Sequence, residues 1–142
     1  MAFDSIYRIA GSSMNAQTVR LNTVASNLAN ADSAAARPDD VYQARKPMFA
    51  AVYDNDQLTR SAGMGGAHVQ VLDVVTSGRA PQRRYEPGSP LADATGYVYY
   101  PDVNEIEEMT DMMSATRSFE TGVEVLNRVK SMQSSLLKLG DA

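Results

Sequence analysis

The stretch Asn104–Leu139, N-E-I-E-E-M-T-D-M-M-S-A-T-R-S-F-E-T-G-V-E-V-L-N-R-V-K-S-M-Q-S-S-L-L-K-L, holds no proline and decides how the rest of the chain is read. Met112, Ala115, Phe119, Gly122, Leu126, Val129, Gln133 and Leu136 recur at alternating steps of three and four, the spacing of one helix packed along another. Met109, Met113, Val123 and Met132 widen that seam. Asn104 with Glu107 three residues on makes an N-cap and capping-box pair. Glu105, Glu107, Glu108 and Asp111 then lie at the positive end of the helix dipole, Arg128, Lys130 and Lys138 lie toward its negative end, and Gly140 supplies the stop. At 1.5 Å per residue such a helix is about 50 Å long. A compact chain of 142 residues does not need that length, so the excess points to partners outside the fold.

Working outward, Phe3–Ala31 is a second helix candidate, with Asp4 or Ser5 as its cap. Phe3, Tyr7, Ala10, Met14, Gln17, Leu21, Val24, Leu28 and Ala31 again step by four and three. Its other faces carry Ser12, Ser13, Asn15, Thr18, Asn22, Thr23, Ser26, Asn27 and Asn30, and from Met1 to Ala36 only Asp4, Arg8, Arg20 and Asp32 are charged. Ser, Thr and Asn compete for the backbone and Gly11 weakens the interior, so an isolated helix of this composition is marginal. Two readings stay open. One is an amphipathic helix in a hairpin with Asn104–Leu139, its outer face low in charge by accident. The other is that further faces are covered by other molecules, since small uncharged side chains pack closely without the desolvation cost of ions. The second reading predicts poor order in the monomer and full order in an assembly.

Between the helices the character changes. D-S-A-A-A-R-P-D-D is a breaker segment, with Arg37 held extended before Pro38. Val41–Tyr53 reads as two short strands separated at Pro47, followed by a loop from Asp54 to Gly66. His68–Val75 is the best strand. T-S-G-R-A-P-Q-R-R-Y gives a turn and an extended piece, Y-E-P-G-S-P a turn cluster, and G-Y-V-Y-Y-P a last short strand. The expected fold is α+β: long N- and C-terminal helices paired as a coiled-coil-like layer, with a small irregular β-rich middle. The segments are 1–36, 37–101 and 102–142.

Composition removes several function classes. A hydrophobic content of 44% with 21% charge excludes a wholly disordered chain. A net charge of −4 argues against a nucleic-acid partner, which calls for a basic footprint. The absence of cysteine removes disulfides and thiolate metal sites. The N-terminus lacks the basic and apolar regions of a cleaved secretory signal, and no run reaches the length of a membrane span.

No constellation for catalysis emerges. His68 is the lone histidine, and a lone histidine at a strand start reads as structural or solvated rather than as a ligand. There is no G-x-S-x-G elbow for a serine nucleophile. Asp54-Asn55-Asp56 opens like a calcium loop, but Thr59 and Gly65 stand where that loop needs Gly and Glu. Gly63-Met64-Gly65-Gly66 imitates a phosphate cradle, yet His68 takes the place of its third glycine. Arg79, Arg83 and Arg84 form the one local basic patch, suited to an anion or an acidic partner surface and equally to a solvated turn. No enzyme activity, cofactor, metal, nucleic acid or small-molecule substrate is therefore expected.

Two separated motifs carry a resemblance. R-L-N-T-V-A-S-N-L-A-N-A-D-S (Arg20–Ser33) resembles the signature near the start of bacterial flagellar rod and hook proteins, whose A-x-N-x-A-N core ends the first helix. D-V-N-E-I-E-E-M-T-D-M-M-S-A-T-R-S-F-E-T-G-V-E-V-L-N-R-V-K-S-M (Asp102–Met132) resembles their matching C-terminal signature. G-Y-V-Y-Y-P-D-V-N before it and Y-E-P-G-S-P-L-A-D upstream look most like the proximal-rod members. Gly122 departs from the pattern, standing where an Asn is expected. The resemblance implies a structural subunit of the flagellar drive shaft in the periplasm, exported through the flagellum's own type III apparatus without a cleaved signal. It implies that the terminal helices form an inner layer around an export channel. The implied partners are other rod proteins and copies of itself, with the membrane ring and export apparatus as further neighbours. Interface positions are then expected at Leu21, Val24 and Leu28 on the first helix and at Met112, Phe119, Leu126 and Val129 on the last. Asn22, Asn27 and Asn30 are expected to bond across subunits or to cap the first helix. A different subunit of the same rod is the nearest alternative. A small soluble enzyme or regulator with a helical-hairpin dimerisation stalk is the rival class.

Overall fold

The computed structural model describes residues 2–53 and 66–140. Its elements in order are α1 (Ala2–Ala29), a single 3-10 turn (Pro38–Asp40), β1 (Arg45–Tyr53), β2 (Ala67–Thr76), β3 (Gln82–Tyr85), β4 (Tyr97–Tyr100) and α2 (Glu105–Gly140). The calcium-like Asp54–Asp56 run and nearly all of the Gly63–Gly66 run lie outside the described residues.

The two long helices pack side by side as an antiparallel hairpin. Tyr7 meets Gln133, Met14 meets Gly122, Arg20 meets Asp111 and Asn27 meets Glu108. Partners fall in number on α2 as they rise on α1, which fixes the direction. Ala10, Ala16 and Val24 on α1 and Ala115 and Val129 on α2 are buried, so the core of the hairpin is built from small side chains. Burying each valine contributes about 1.5–3 kcal/mol. At Gly122 a Cβ would come within 2.8 Å of Met14 Cγ. An Asn at this position would force the Met14 side chain to move, which gives the glycine a packing reason.

The ends of the helices differ in detail from expectation. Asn104 caps α2 through its Oδ1, which accepts from the N–H groups of Ile106 (3.1 Å) and Glu107 (3.3 Å). Glu107 accepts instead from Lys46 Nζ at 3.1 Å, so the carboxylate the capping box would turn inward ties α2 to β1. Helix α1 begins at Ala2, which places Asp4 within the first turn rather than at the cap, and Gly140 is the last residue of α2 rather than the residue after it. At the other end of α1, Asn30 Nδ2 donates to the Ser26 carbonyl at 2.8 Å. Along α2 the hydroxyls of Thr110, Thr116, Ser118, Thr121, Ser131 and Ser135 each donate to the carbonyl four residues earlier.

The middle is two separate antiparallel ribbons, β1–β2 and β3–β4. β1 runs unbroken through Pro47, in place of the two strands expected there. The Ser77 N–H donates to the Ala44 carbonyl at 2.8 Å, and hydrogen-bonded pairs alternate along an antiparallel ladder. Pro47, paired with Val74, therefore falls at a position whose N–H would point away from β2, where its absence costs no ladder bond. The register shifts between Met48 and Phe49, leaving Leu72 as an extra residue on β2. Ribbon β1–β2 lies against α1, where the Val69 N–H donates to Ser12 Oγ at 3.0 Å.

The β3–β4 ribbon is fastened to the segment that follows α1 by an isolated bridge between Ala35 and Tyr99. The turn cluster that joins its strands needs glycine at Gly96, whose φ is +83° and where a Cβ would lie 2.8 Å from Tyr85 Cε2. No helix among the described residues is long and apolar enough to cross a membrane.

Candidate assembly surface

Most of the expected interface positions line the seam inside the chain. Val24, Asn27 and Val129 are buried, and Leu21, Leu28, Asn30, Met112, Phe119 and Leu126 are half-buried. The hairpin brings the α1 and α2 groups to one shared face. Asn22 is exposed. Asn30 closes the last turn of α1, as described above, while Asn27 is engaged at the junction with β1.

The residues expected to widen the seam do not do so. Met109, Met113, Val123 and Met132 are exposed, because the small side chains at Ala115 and Gly122 let α1 approach over a narrow strip. Ile106, Met109 and Met113 form a row at steps of three and four that a single chain leaves uncovered, with Ile106 77% exposed. At the far end Leu136, Leu137 and Leu139 are also exposed, the last at 75%. The most exposed apolar residues of α2 lie toward its two ends, with Val123, Val125 and Met132 exposed between them. The same middle stretch holds Thr116, Arg117, Glu120, Thr121 and Glu124, all exposed.

Helix α1 presents Asn15, Thr18, Asn22, Ala25 and Ala29 outward, a strip without charge. Its Arg20 is turned inward and pairs with Asp111 at 3.0 Å, partly buried. A surface of this composition can meet another protein without stripping water from ions.

Sequence reasoning misses Glu108. It is 5% exposed and accepts from Asn27 Nδ2 at 3.0 Å. The signal is present, since stepping the α2 seam back by four from Met112 lands on Glu108. Its acidic side chain reads, from the sequence, only as a partner for the helix dipole. Beside it a hollow of about 290 Å³ opens between the helices and β1, with Arg20, Val24, Pro47, Phe49, Glu108 and Asp111 in its lining.

The basic patch does not form one surface. Arg79 pairs with Asp102 at 3.5 Å. Arg83 lies over the Tyr97 ring at 5.3 Å and Arg84 over the Tyr100 ring at 4.4 Å, and as successive strand residues they project from opposite faces of the ribbon. Within the same ribbon Asp93 Oδ1 accepts from the Thr95 hydroxyl (2.7 Å), the Thr95 N–H (2.8 Å) and the Tyr97 N–H (3.0 Å), while Oδ2 accepts from the Tyr99 hydroxyl (3.1 Å). Led by the Thr95 hydroxyl, these bonds lower the Asp93 pKa from 3.8 to about 2. The bond to Asp93 raises the pKa of Tyr99. Tyr100, which donates to Glu86, is raised chiefly by desolvation. Among the described residues no group of three His, Asp or Glu side chains is placed to hold a metal ion.

Comparison with known proteins matches both ends of the chain to families. Residues 8–35 match the family described as flagella basal body rod protein. Residues 94–139 match the family described as flagellar basal body rod FlgEFG protein C-terminal. The flagellar basal-body rod protein FlgC of Escherichia coli O6:H1 is 46% identical over 140 residues, covering 99% of both chains. That of Salmonella typhimurium is 45% identical over 141 residues with the same coverage. That of Bacillus subtilis is 33% identical over 150 residues, covering 98% of both.

Proposed function

This chain belongs to the flagellar basal-body rod protein family and is a structural subunit of the flagellar rod, and on that premise we propose that it sits in the proximal rod and assembles helically with other rod proteins and copies of itself. In this reading it is not an enzyme. It leaves the cell by the flagellar type III route without a cleaved signal and lies in the part of the rod that spans the periplasm. Segments 1–36 and 102–142 form the inner helical layer around the export channel, and segment 37–101 packs outside it. The membrane ring and the export apparatus are further neighbours.

The unfinished surface of the hairpin supports this reading. The seam positions Val24, Asn27 and Val129 fix the pair itself. Leu21, Leu28, Asn30, Met112, Phe119 and Leu126 flank the seam and remain part-open. Beyond them stand the uncovered Ile106, Met109 and Met113 and the uncharged strip of α1. Neighbouring subunits that covered these residues in contacts that do not close on themselves would generate a helical tube. Each large apolar side chain so covered would add about 1.5–3 kcal/mol.

The chain has no cysteine, which gives a direct test. A Met113→Cys chain should react quickly with a maleimide when isolated and slowly in purified basal bodies. Equal reactivity in both would remove this face from the assembly surface.

A further inference from the structure

Asn27 is 1% exposed at the point where α1, α2 and the start of β1 meet. An amide side chain offers two N–H donors and a carbonyl with two acceptor positions, and here all four are used. Nδ2 donates to the Arg45 carbonyl at 2.8 Å and to Glu108 Oε2 at 3.0 Å. Oδ1 accepts from the Tyr42 hydroxyl and from the Arg45 N–H, each at 2.9 Å. Ser26 Oγ lies 3.1 Å from the same Tyr42 hydroxyl.

The two bonds to Arg45 have a particular form. Arg45 faces Thr76 at the position next to the hydrogen-bonded Ala44–Ser77 pair, so its N–H and C=O point away from β2. Asn27 takes both, as the next strand of a sheet would, with its side-chain amide standing in for a peptide. The remaining polar ties between this ribbon and the hairpin include the single Val69–Ser12 bond and the exposed Lys46–Glu107 pair, and an exposed pair contributes little. Glu108 sets the orientation of the amide. Glu108 Oε2 and the Arg45 carbonyl both accept from Nδ2, so a flipped Asn27 would turn its carbonyl oxygen against two acceptors.

We infer that Asn27 is a latch that fixes the angle at which the β1–β2 ribbon leaves the helical hairpin, with Glu108 as the positioning residue that holds the amide the right way round. The latch stands on the geometry of the chain and rests on the rod reading only for its readout. A hairpin that packs correctly would still present its middle segment at the wrong angle if the latch were broken.

The test is a set of variants produced in a flagellated bacterium from which its own copy of this subunit has been deleted. Asn27→Asp keeps the shape of the side chain but sets a second carboxylate against Glu108 and removes the donor to Arg45. It should reduce swarming by roughly tenfold or more with the protein still produced. Glu108→Gln retains an acceptor for Asn27 and should reduce swarming less than about twofold. The double variant, Asn27→Asp with Glu108→Gln, exchanges the two groups, so that an amide on α2 donates to a carboxylate on α1. It should swarm at least about threefold better than Asn27→Asp alone. A merely space-filling role for Asn27 would give no such recovery. Full motility of Asn27→Asp, or a double variant no better than it, would overturn the latch. Restoration of swarming by the unaltered chain checks the rod reading separately, so failures of the two are told apart.

Discussion

The helical hairpin and the β3–β4 ribbon reach order by opposite routes. The hairpin is long, with a narrow seam of alanines and valines and large apolar side chains left outside it. The ribbon is short and largely open apart from buried Val98, yet its polar groups are met within the ribbon itself: Asp93 accepts four hydrogen bonds, and Arg83 and Arg84 lie over tyrosine rings on its two faces. One region depends on contacts between residues far apart in the chain and gains from neighbours. The other is closed by local chemistry. Damage should therefore spread differently from each: seam changes should abolish assembly while sparing the ribbon, and ribbon changes should stay local.

The largest effect is expected from Leu126→Asp and Ser26→Pro. A charge beside the seam would have to be stripped of water when a neighbour covers it, and a proline inside α1 removes a helix bond at a cost of about 3 kcal/mol or more. Both should abolish incorporation into the rod, scored by motility and by recovery with basal bodies, while the tyrosine signals of β3–β4 persist. Loss of those signals together with assembly would show that the ribbon leans on the hairpin for its order.

Next comes Gly122→Val, which forces a branched side chain onto Met14. Overpacking of this kind costs about 1–3 kcal/mol, and Met14→Ala should return part of it. Thermal unfolding of the two single variants and the double measures the coupling.

The ribbon's own weak point is acid. The folded pKa of Asp93 is depressed from 3.8 to about 2, so its contribution is fully present above pH 3.8 and fades as the pH falls toward 2. Near-ultraviolet circular dichroism of the tyrosines should therefore change within that window, and Asp93→Asn should remove the dependence. At the alkaline end Tyr99 and Tyr100 should ionise above the usual value of 10, followed by absorbance at 295 nm.

The smallest expected effect is a gain. Gln17 Oε1 is buried without a hydrogen-bond partner among the described residues, so Gln17→Met, of similar size, should stabilise the hairpin by about 1 kcal/mol. A loss of that size would show that the amide is needed where it stands.

Both long helices are legible in the sequence because a period of three and four sustained over many turns has few other structural solutions. Which flanking side chains turn inward is not. Met109 and Met132 look like core residues, and only the close approach allowed by Ala115 and Gly122 leaves them outside. Pro47 misleads because a proline forbids a ladder bond only on one side, and the side is set by pairing with distant Val74. Asn27 and Glu108 are far apart in the chain, and a local reading gives each a helix-end or surface role. No local rule reports that the two face one another across the seam.

The hydroxyl bonds along α2 carry a mechanical consequence. A carbonyl that accepts from both the N–H and the hydroxyl four residues on holds its turn less tightly, and serine and threonine bonded in this way often bend a helix. From Thr110 to Ser135 these groups are all exposed, on the side away from α1. Bending strain in α2 is therefore distributed over several turns rather than gathered at one hinge. For a subunit of a rod this would mean bending shared over several turns of α2 rather than taken at one point.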